Sequence, residues 1–382
     1  MTAFLEADPR ARSSRQAPHL PAAARPAAAS AQSPCRFYRA TLPPSERAAY
    51  DVLLEGLMRG ERAVALPGCC DEAAAKRLLD ALKLDNPGLF SVEGLLLAHS
   101  PFGRGKVQVE PVYRISADEA RTMREELSSA TDGIVGDVRG RTEPEQMRAL
   151  HDWLIARFSY REGSVHAHEA TGALLFGGGV CESMAKALKY LCDRCGIPCI
   201  VATGHARGNP ALSGAAGRAE PHAWNLVRLA AEAGTHWYHV DATFDAALST
   251  SVARYDYFCL SDEEIDGDCE ADGATYPPCP LPFGFYRRIG RFADSRRALE
   301  RLVREAKAAG ENPVVFQLPR IEGADEAFFQ ELAAAAGRGL ATRPLRPLRS
   351  LRINVARNRP RMVFQVEVEP PRERPRPALP RR

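Results

Sequence analysis

The sequence predicts an α+β fold. Residues 181–195 carry the apolar period of a helix, with Met184, Ala185, Ala187, Leu188 and Leu191 on one face. Two runs with strand composition follow, His222–Val227 and Trp237–Asp241, joined through a short turn containing Gly234. A helix that presents a cysteine at its start, packed on an antiparallel sheet, is an α+β arrangement.

The elements follow in chain order. Residues 1–40 are rich in Ala, Pro, Arg and Ser, a composition that cannot offset its ordering entropy, so a disordered leader is expected. Order is expected from Pro43-Pro44-Ser45, with a helix placing Tyr50, Leu53, Leu54, Leu57 and Met58 on one face. Asp71 caps a second helix through Leu78, Leu79 and Leu82. Asn86-Pro87-Gly88 turns the chain, and strands are expected over 89–96 and 106–115. Ser116 and Glu119 form a capping box that opens a helix to about residue 131. A further helix is expected from Glu143 to Phe158. Gly196-Ile197-Pro198 ends the 181–195 helix, Cys199–Ala202 begin a strand, and 203–220 read as a Gly/Ala-rich loop. Later segments read as a helix near 294–309, a strand at Val314–Leu318, a helix over 324–337, and strands at Leu351–Val355 and Met362–Val368.

Five regions result. They are a leader (1–40), a helical and strand region packed on the core (41–140), the core itself (141–285), a small α+β module (286–369) and a basic proline-rich tail (370–382). The length of 382 residues agrees, because single hydrophobic cores stop growing near 250–300 residues.

Composition excludes several classes. Lys+Arg 51 against Asp+Glu 48 leaves a net charge of +3, which speaks against a nucleic-acid-binding protein. Only six basic residues are lysine, so the arginine excess reads as compositional bias rather than a binding surface. No apolar run is long enough to span a bilayer, so no membrane role is expected. The first residues carry Glu6 and Asp8 and no apolar stretch behind them, which points to a cytoplasmic protein. Ten cysteines are too few for a disulfide scaffold. Cys192, Cys195 and Cys199 have a spacing that suggests zinc, but no second close pair completes four ligands, and buried thiols are the expected reading. Nothing in the sequence fixes an oligomeric state.

The chemistry centres on Cys181, which follows three glycines and opens a helix. Unsatisfied N–H groups and the positive end of the helix dipole favour thiolate there, and the Cys181 N–H can face a developing oxyanion. The glycines permit a sharp turn and a close approach of substrate to the backbone. A cysteine nucleophile needs a base, and the base needs an acceptor that holds its ring. His222 and Asp241 fill those positions if the two strands pair so that they become neighbours, which register decides. His239 is a rival base. Asp241 also reads as a cap before Ala242-Thr243, Trp224 as core, and Asn225 as a sheet-edge hydrogen bond.

The stretches GGGVCESMAKALKYLCDRCGIPCIVATG, PHAWNLVRL and THWYHVDATFD resemble the transglutaminase-like superfamily, whose core is related to papain-type cysteine proteases. HDWLIARFSY at 151–160, HAHEATGALL at 166–175, YDYFCLSDEEI at 255–265 and LDNPGLF at 84–90 are similar to flanking segments of bacterial members. The resemblance spans roughly residues 45–265. It implies a Cys181–His222–Asp241 triad, with Tyr160, His168, Gln146 and Trp224 as oxyanion or pocket residues. Glu182-Ser183-Met184 departs from the commoner bacterial pattern, a departure expected to bear on pocket shape and not on the triad, and Met184 reads as core. The implied activity is acyl transfer on a peptide or carboxamide bond of a peptide or protein substrate, through a thioester. Hydrolysis is favoured over cross-linking, and neither a cofactor nor a metal is called for. The alternative is an inactive binding or scaffold protein that keeps the fold.

Overall fold

A computed structural model describes residues 34–68, 71–99, 107–207, 219–273, 275–319, 326–340, 352–358 and 361–369. The leader to residue 33, most of the 203–220 loop and the tail from 370 lie outside the described residues. The described chain divides into two compact units. The larger holds the chain to Ala253 together with Tyr257–Phe283, and the smaller holds Arg254–Asp256 and the chain from Gly284.

The larger unit begins before the expected Pro43. Helix α1 (Phe37–Thr41) is fixed by long-range bonds: Tyr38 N and Arg39 N donate to the buried Asp85 carboxylate, and Tyr38 Oη donates to Val201 O at 2.6 Å. Helices α2 (Pro44–Arg59) and α3 (Glu72–Asp85) pack on a sheet of β1 (Val64–Leu66), β3 (Val107–Tyr113) and β2 (Val92–His99), in the order β1-β3-β2. Tyr50, Leu53, Leu57, Leu78 and Leu82 fill this core. Met58 is exposed instead, because it falls at the margin of the α2 stripe. Asp71 caps α3 by accepting from Ala74 N at 2.7 Å.

Helix α4 (Ala117–Val138) opens with the Ser116–Glu119 capping box and runs past residue 131, with Arg139 as its C-cap. Helix α5 (Glu143–Ile155) opens with a second box, Thr142 with Glu145. Strand β4 (Ser159–Tyr160), helix α6 (Ala170–Leu174), strand β5 (Gly178–Gly179) and helix α7 (Cys181–Cys195) follow. Gly196, with φ 74°, takes the left-handed conformation that ends α7.

A five-stranded antiparallel sheet carries the second half of the unit. It comprises β6 (Cys199–Arg207), β7 (Ala219–Ala231), β8 (Gly234–Val240), β9 (Phe258–Leu260) and β10 (Cys269–Ala271), ordered β10-β6-β7-β8-β9. Two short helices, α8 (Ala242–Leu248) and α9 (Asp262–Ile265), flank its end. Ala185 of α7 packs with Val201 and Ala223 of the sheet. Asn225 pins the helix: its Nδ2 donates to Ala185 O at 2.9 Å and to Ile200 O at 3.3 Å from a fully buried position. The asparagine therefore joins two layers and is not an edge residue.

In the smaller unit, α10 (Phe285–Arg288), α11 (Arg296–Ala308) and α12 (Glu326–Leu340) accompany a sheet ordered β11-β13-β12. Its strands are β11 (Val314–Gln317), β12 (Arg352–Asn358) and β13 (Val363–Glu369). Arg254–Asp256 also belong to the smaller unit. Asp256 accepts from Arg254 Nη2 at 2.6 Å, Tyr286 Oη at 2.8 Å and Asn358 Nδ2 at 3.1 Å, which explains its membership.

Candidate active site

Cys181 is the first residue of α7, after the extended Val180. Gly177 turns the chain with φ 64°, a conformation that favours glycine. The next two glycines serve packing rather than substrate approach. A Cβ at Gly178 would lie 2.9 Å from Ser159 O; one at Gly179 would lie 2.6 Å from the Ser183 side chain and 2.8 Å from Ala167 O. Ser183, buried, donates to Glu169 O at 2.7 Å and accepts from Ala173 N at 3.0 Å. The start of α7 is thereby fastened to the preceding loop and to α6. Met184 is fully buried core.

His222 lies on β7 and is 8% exposed. Its Nε2 meets Asp241 Oδ2 at 2.6 Å. The ring stacks on Phe244, with centroids 4.6 Å apart and planes 17° apart, and faces Trp224 at 6.0 Å. Burial lowers the affinity of the imidazole for a proton. The Asp241 carboxylate and hydrogen bonding with Cys181 outweigh burial, and His222 is pushed up to about 10. Cys181 thus lies within interaction reach of the ring whose Nε2 Asp241 occupies.

Asp241 reaches His222 from one position beyond β8, whose last residue, Val240, pairs with Asn225. The two residues are diagonal rather than directly opposed. The cap reading also holds, because Asp241 Oδ1 accepts from Thr243 N and Phe244 N, both at 3.0 Å, at the start of α8. One oxygen holds the helix and the other faces the imidazole. The rival His239 is engaged elsewhere. Its Nδ1 accepts from Trp224 Nε1 at 3.0 Å and its Nε2 pairs with Asp262 Oδ1 at 2.9 Å. Burial also lowers its pKa.

A cleft of about 950 Å³ is lined by Cys181, His222, Tyr160, His168, Glu182 and Lys83, among others. Tyr160 is exposed on the rim, and burial of the hydroxyl followed by the Cys181 charge pushes its pKa up to about 12, so the phenol keeps its proton. His168 Nδ1 pairs with Glu182 Oε2 at 3.0 Å, and the buried Lys186 Nζ lies 2.8 Å from Glu182 Oε1. Gln146 lies elsewhere: its Nε2 donates to Arg141 O at 2.8 Å on α5, and it does not line the cleft. Trp224 is buried beneath His222 and supports the ring rather than lining the cleft.

Three residues at the site escape the sequence reading. Phe244 stacks on His222, and its place three residues after Asp241 is a usable signal. Lys186 has one too, the i,i+4 spacing from Glu182. Cys269, close to His222 and Asp241, comes from the edge strand β10 and leaves no signal in the sequence. Cys192 interacts with Cys199, but Cys192, Cys195 and Cys199 do not converge on one point as metal ligands would. Cys192 Sγ contacts Met147 Sδ at 3.9 Å, Cys199 accepts from Asn225, and among the described residues neither metal-competent cluster includes any of the three.

Residues 129–242 match the sequence model of the family described as Transglutaminase-like superfamily. The relationship to that superfamily is distant and lies in this segment. That segment contains Cys181, His222 and Asp241. No curated protein matches the chain. Among solved structures, the chain is similar to a candidate cysteine protease from Cytophaga hutchinsonii, with 14% identity, TM-score 0.25, and coverage of 49% of this chain and 78% of that one. It is also similar to a TGase, with 11% identity, TM-score 0.24, and coverage of 45% and 48%. A candidate protease from Parabacteroides distasonis shows 12% identity, TM-score 0.21, and coverage of 38% and 36%. The chain therefore spans less than half the length of the latter two. None of the described helices is long and apolar enough to cross a membrane.

Proposed function

We propose that the protein is a cysteine-dependent acyl-transfer enzyme acting on peptide or carboxamide bonds, with Cys181, His222 and Asp241 as its triad. The observation that carries the reading is the 2.6 Å contact between His222 Nε2 and Asp241 Oδ2, beside a cysteine that opens a helix in the same cleft. A buried aspartate on one imidazole nitrogen fixes the tautomer and orientation and stabilises the imidazolium.

In the proposed cycle the Cys181 sulfur attacks the carbonyl carbon while its proton resides on His222. The carbonyl oxygen takes the charge of the tetrahedral intermediate and is met by the Cys181 N–H and the Tyr160 hydroxyl. Tyr160 is preferred over His168 as second donor because it keeps its proton and lies within electrostatic reach of Cys181, whereas His168 is paired with Glu182. His222 then gives its proton to the departing amine, the C–N bond breaks and a thioester remains. Water, deprotonated by His222, attacks the thioester, releasing the carboxylic acid and restoring Cys181. An amine in place of water would give transamidation. Hydrolysis is the favoured outcome, since the cleft is open to solvent at Tyr160 and His168.

The test is a screen of peptide and amide substrates with the full chain, with Cys181→Ala as control. Turnover with a trapped thioester at Cys181 is expected. Equal turnover by Cys181→Ala, or no acylation of Cys181 by any substrate or amide-directed electrophile, would reject the reading.

A further inference from the structure

Among the described residues, two clusters in the larger unit bring a histidine, an aspartate and a cysteine within 4.8 Å of one another: His222, Asp241 and Cys269, and His239, Asp262 and Cys279. They differ in one decisive respect. Trp224 Nε1 can only donate, and it points at His239 Nδ1. That nitrogen must accept, so the proton of neutral His239 sits on Nε2, where Asp262 takes it. A metal on Nε2 would require Nδ1 to carry a proton instead, against the indole N–H. The second cluster is therefore a hydrogen-bond relay that braces Trp224.

The first cluster has no such conflict. His222 Nε2 faces the carboxylate, and Cys181, an acceptor once ionised, lines the same cleft within interaction reach of the ring. A metal on Nε2 leaves a proton on Nδ1 to donate to that sulfur, the arrangement that metal-bound histidines use to fix their tautomer. Asp241 keeps Oδ1 on the α8 N–H groups, so its other oxygen is oriented for ligation without loss of the cap. Cys269 adds a soft ligand from β10. All three residues are buried, and His222 lines the cleft, which gives a cation its route in.

We propose that His222, Asp241 and Cys269 form a zinc-binding site. One nitrogen, one carboxylate oxygen and one thiolate are a zinc-type donor set with a fourth position open. Zinc–ligand bonds of about 2.0–2.3 Å put tetrahedral ligand atoms roughly 3.3–3.6 Å apart. The His222–Asp241 pair, now at 2.6 Å, must open by well under the length of a bond, and the remaining separations are within 4.8 Å. Aspartate and thiolate together neutralise the two charges of the ion. Bound zinc takes the place of the His222–Asp241 hydrogen bond and therefore switches off the imidazole as a base. Zinc binding itself does not depend on the acyl-transfer reading.

The experiment is calorimetric titration of zinc chloride alone into the full chain carrying Cys181→Ala, which removes the cleft cysteine as a ligand. One zinc per chain is expected. Adding Cys269→Ser should weaken binding at least about tenfold, Cys269→His should restore it, and Cys279→Ser should leave it in place. Circular dichroism and thermal melts verify that each variant is folded; if Cys269→Ser does not fold, Cys269→His and Cys279→Ser decide the matter. The assignment is overturned if no zinc binds, if Cys269→Ser binds as tightly as its parent, if a folded Cys269→His fails to bind, or if Cys279→Ser abolishes binding.

Discussion

Asp241 divides its carboxylate between two tasks: Oδ2 meets His222 Nε2 at 2.6 Å, while Oδ1 accepts from Thr243 N and Phe244 N at 3.0 Å each. The aspartate that faces the imidazole is thus held in place by the helix it caps. Its χ angles cannot relax away from His222 without uncapping α8. This double role makes the charge and the cap separable by mutation.

Asp241→Asn keeps an oxygen for the α8 cap, since asparagine caps about as well as aspartate. It removes the charge and offers His222 the wrong partner. Activity should fall on the order of 10³–10⁴-fold, and the stability that protonated His222 draws from the Asp241 charge should be lost while the cap stays. Asp241→Ala should lose activity similarly and destabilise the fold by about 1 kcal/mol more, for the lost cap. Paired kcat/KM and urea-melt measurements check both. Equal stability losses in the two variants would contradict the divided role.

The pH dependence of stability has a definite sign. The folded-state pKa of His222 is raised from 6.5 to about 10, so protonated His222 is favoured by folding. Its contribution is full below pH 6.5 and is lost as pH rises through about 10. His151, buried against Asp245 at 3.0 Å and beside Asp152, is pushed up to about 9 and adds in the same direction. Urea midpoints measured from pH 6 to 11 should therefore decline through the alkaline range. His222→Gln should flatten the upper part of that decline and leave the His151 portion.

Cys181 should stand apart from the other thiols in reactivity. Iodoacetamide at pH 6 should label Cys181 first, with the buried Cys192 and Cys199 untouched in the folded chain. His222→Ala should slow that labelling by about tenfold or more. Peptide mapping after timed quenching gives the site and the rate. Uniform labelling of Cys181 and Cys195 would count against activation.

Tyr160→Phe removes the hydroxyl assigned to the oxyanion and should lower kcat by about 10²–10³-fold with KM nearly unchanged. The side chain is exposed, so stability should stay within about 0.5 kcal/mol. A larger change in KM than in kcat would make Tyr160 a substrate-binding residue instead.

Asn225→Ala strips a buried donor from the Ala185 and Ile200 carbonyls and should cost about 1–3 kcal/mol. Gly179→Ala forces a methyl group against Ser183 and Ala167 O and should cost a similar amount, about 1–3 kcal/mol. Urea denaturation reads both. A neutral Gly179→Ala would return that glycine to the substrate-approach reading.

By itself the sequence determined whatever depends on neighbours a few residues apart. The Ser116–Glu119 box, the Asp71 cap, the Gly196 stop and the span of α7 are all local, and they appear as expected. The order of the Cys181, His222 and Asp241 motifs was legible for the same reason. Register and long-range contact were not, because they depend on pairings across many intervening residues. Only the tertiary structure placed Asn225 opposite Val240 and so set Asp241 diagonal to His222. It alone fixed α1 through Tyr38 and Val201, which are 163 residues apart, where composition had suggested a loose leader. It turned Gly178 and Gly179 from substrate space into packing contacts, moved Gln146 out of the cleft, and brought Cys269 from an edge strand to the His222–Asp241 pair. In each case the deciding free energy is a contact between segments that share no local pattern, so no local reading of the chain carries it.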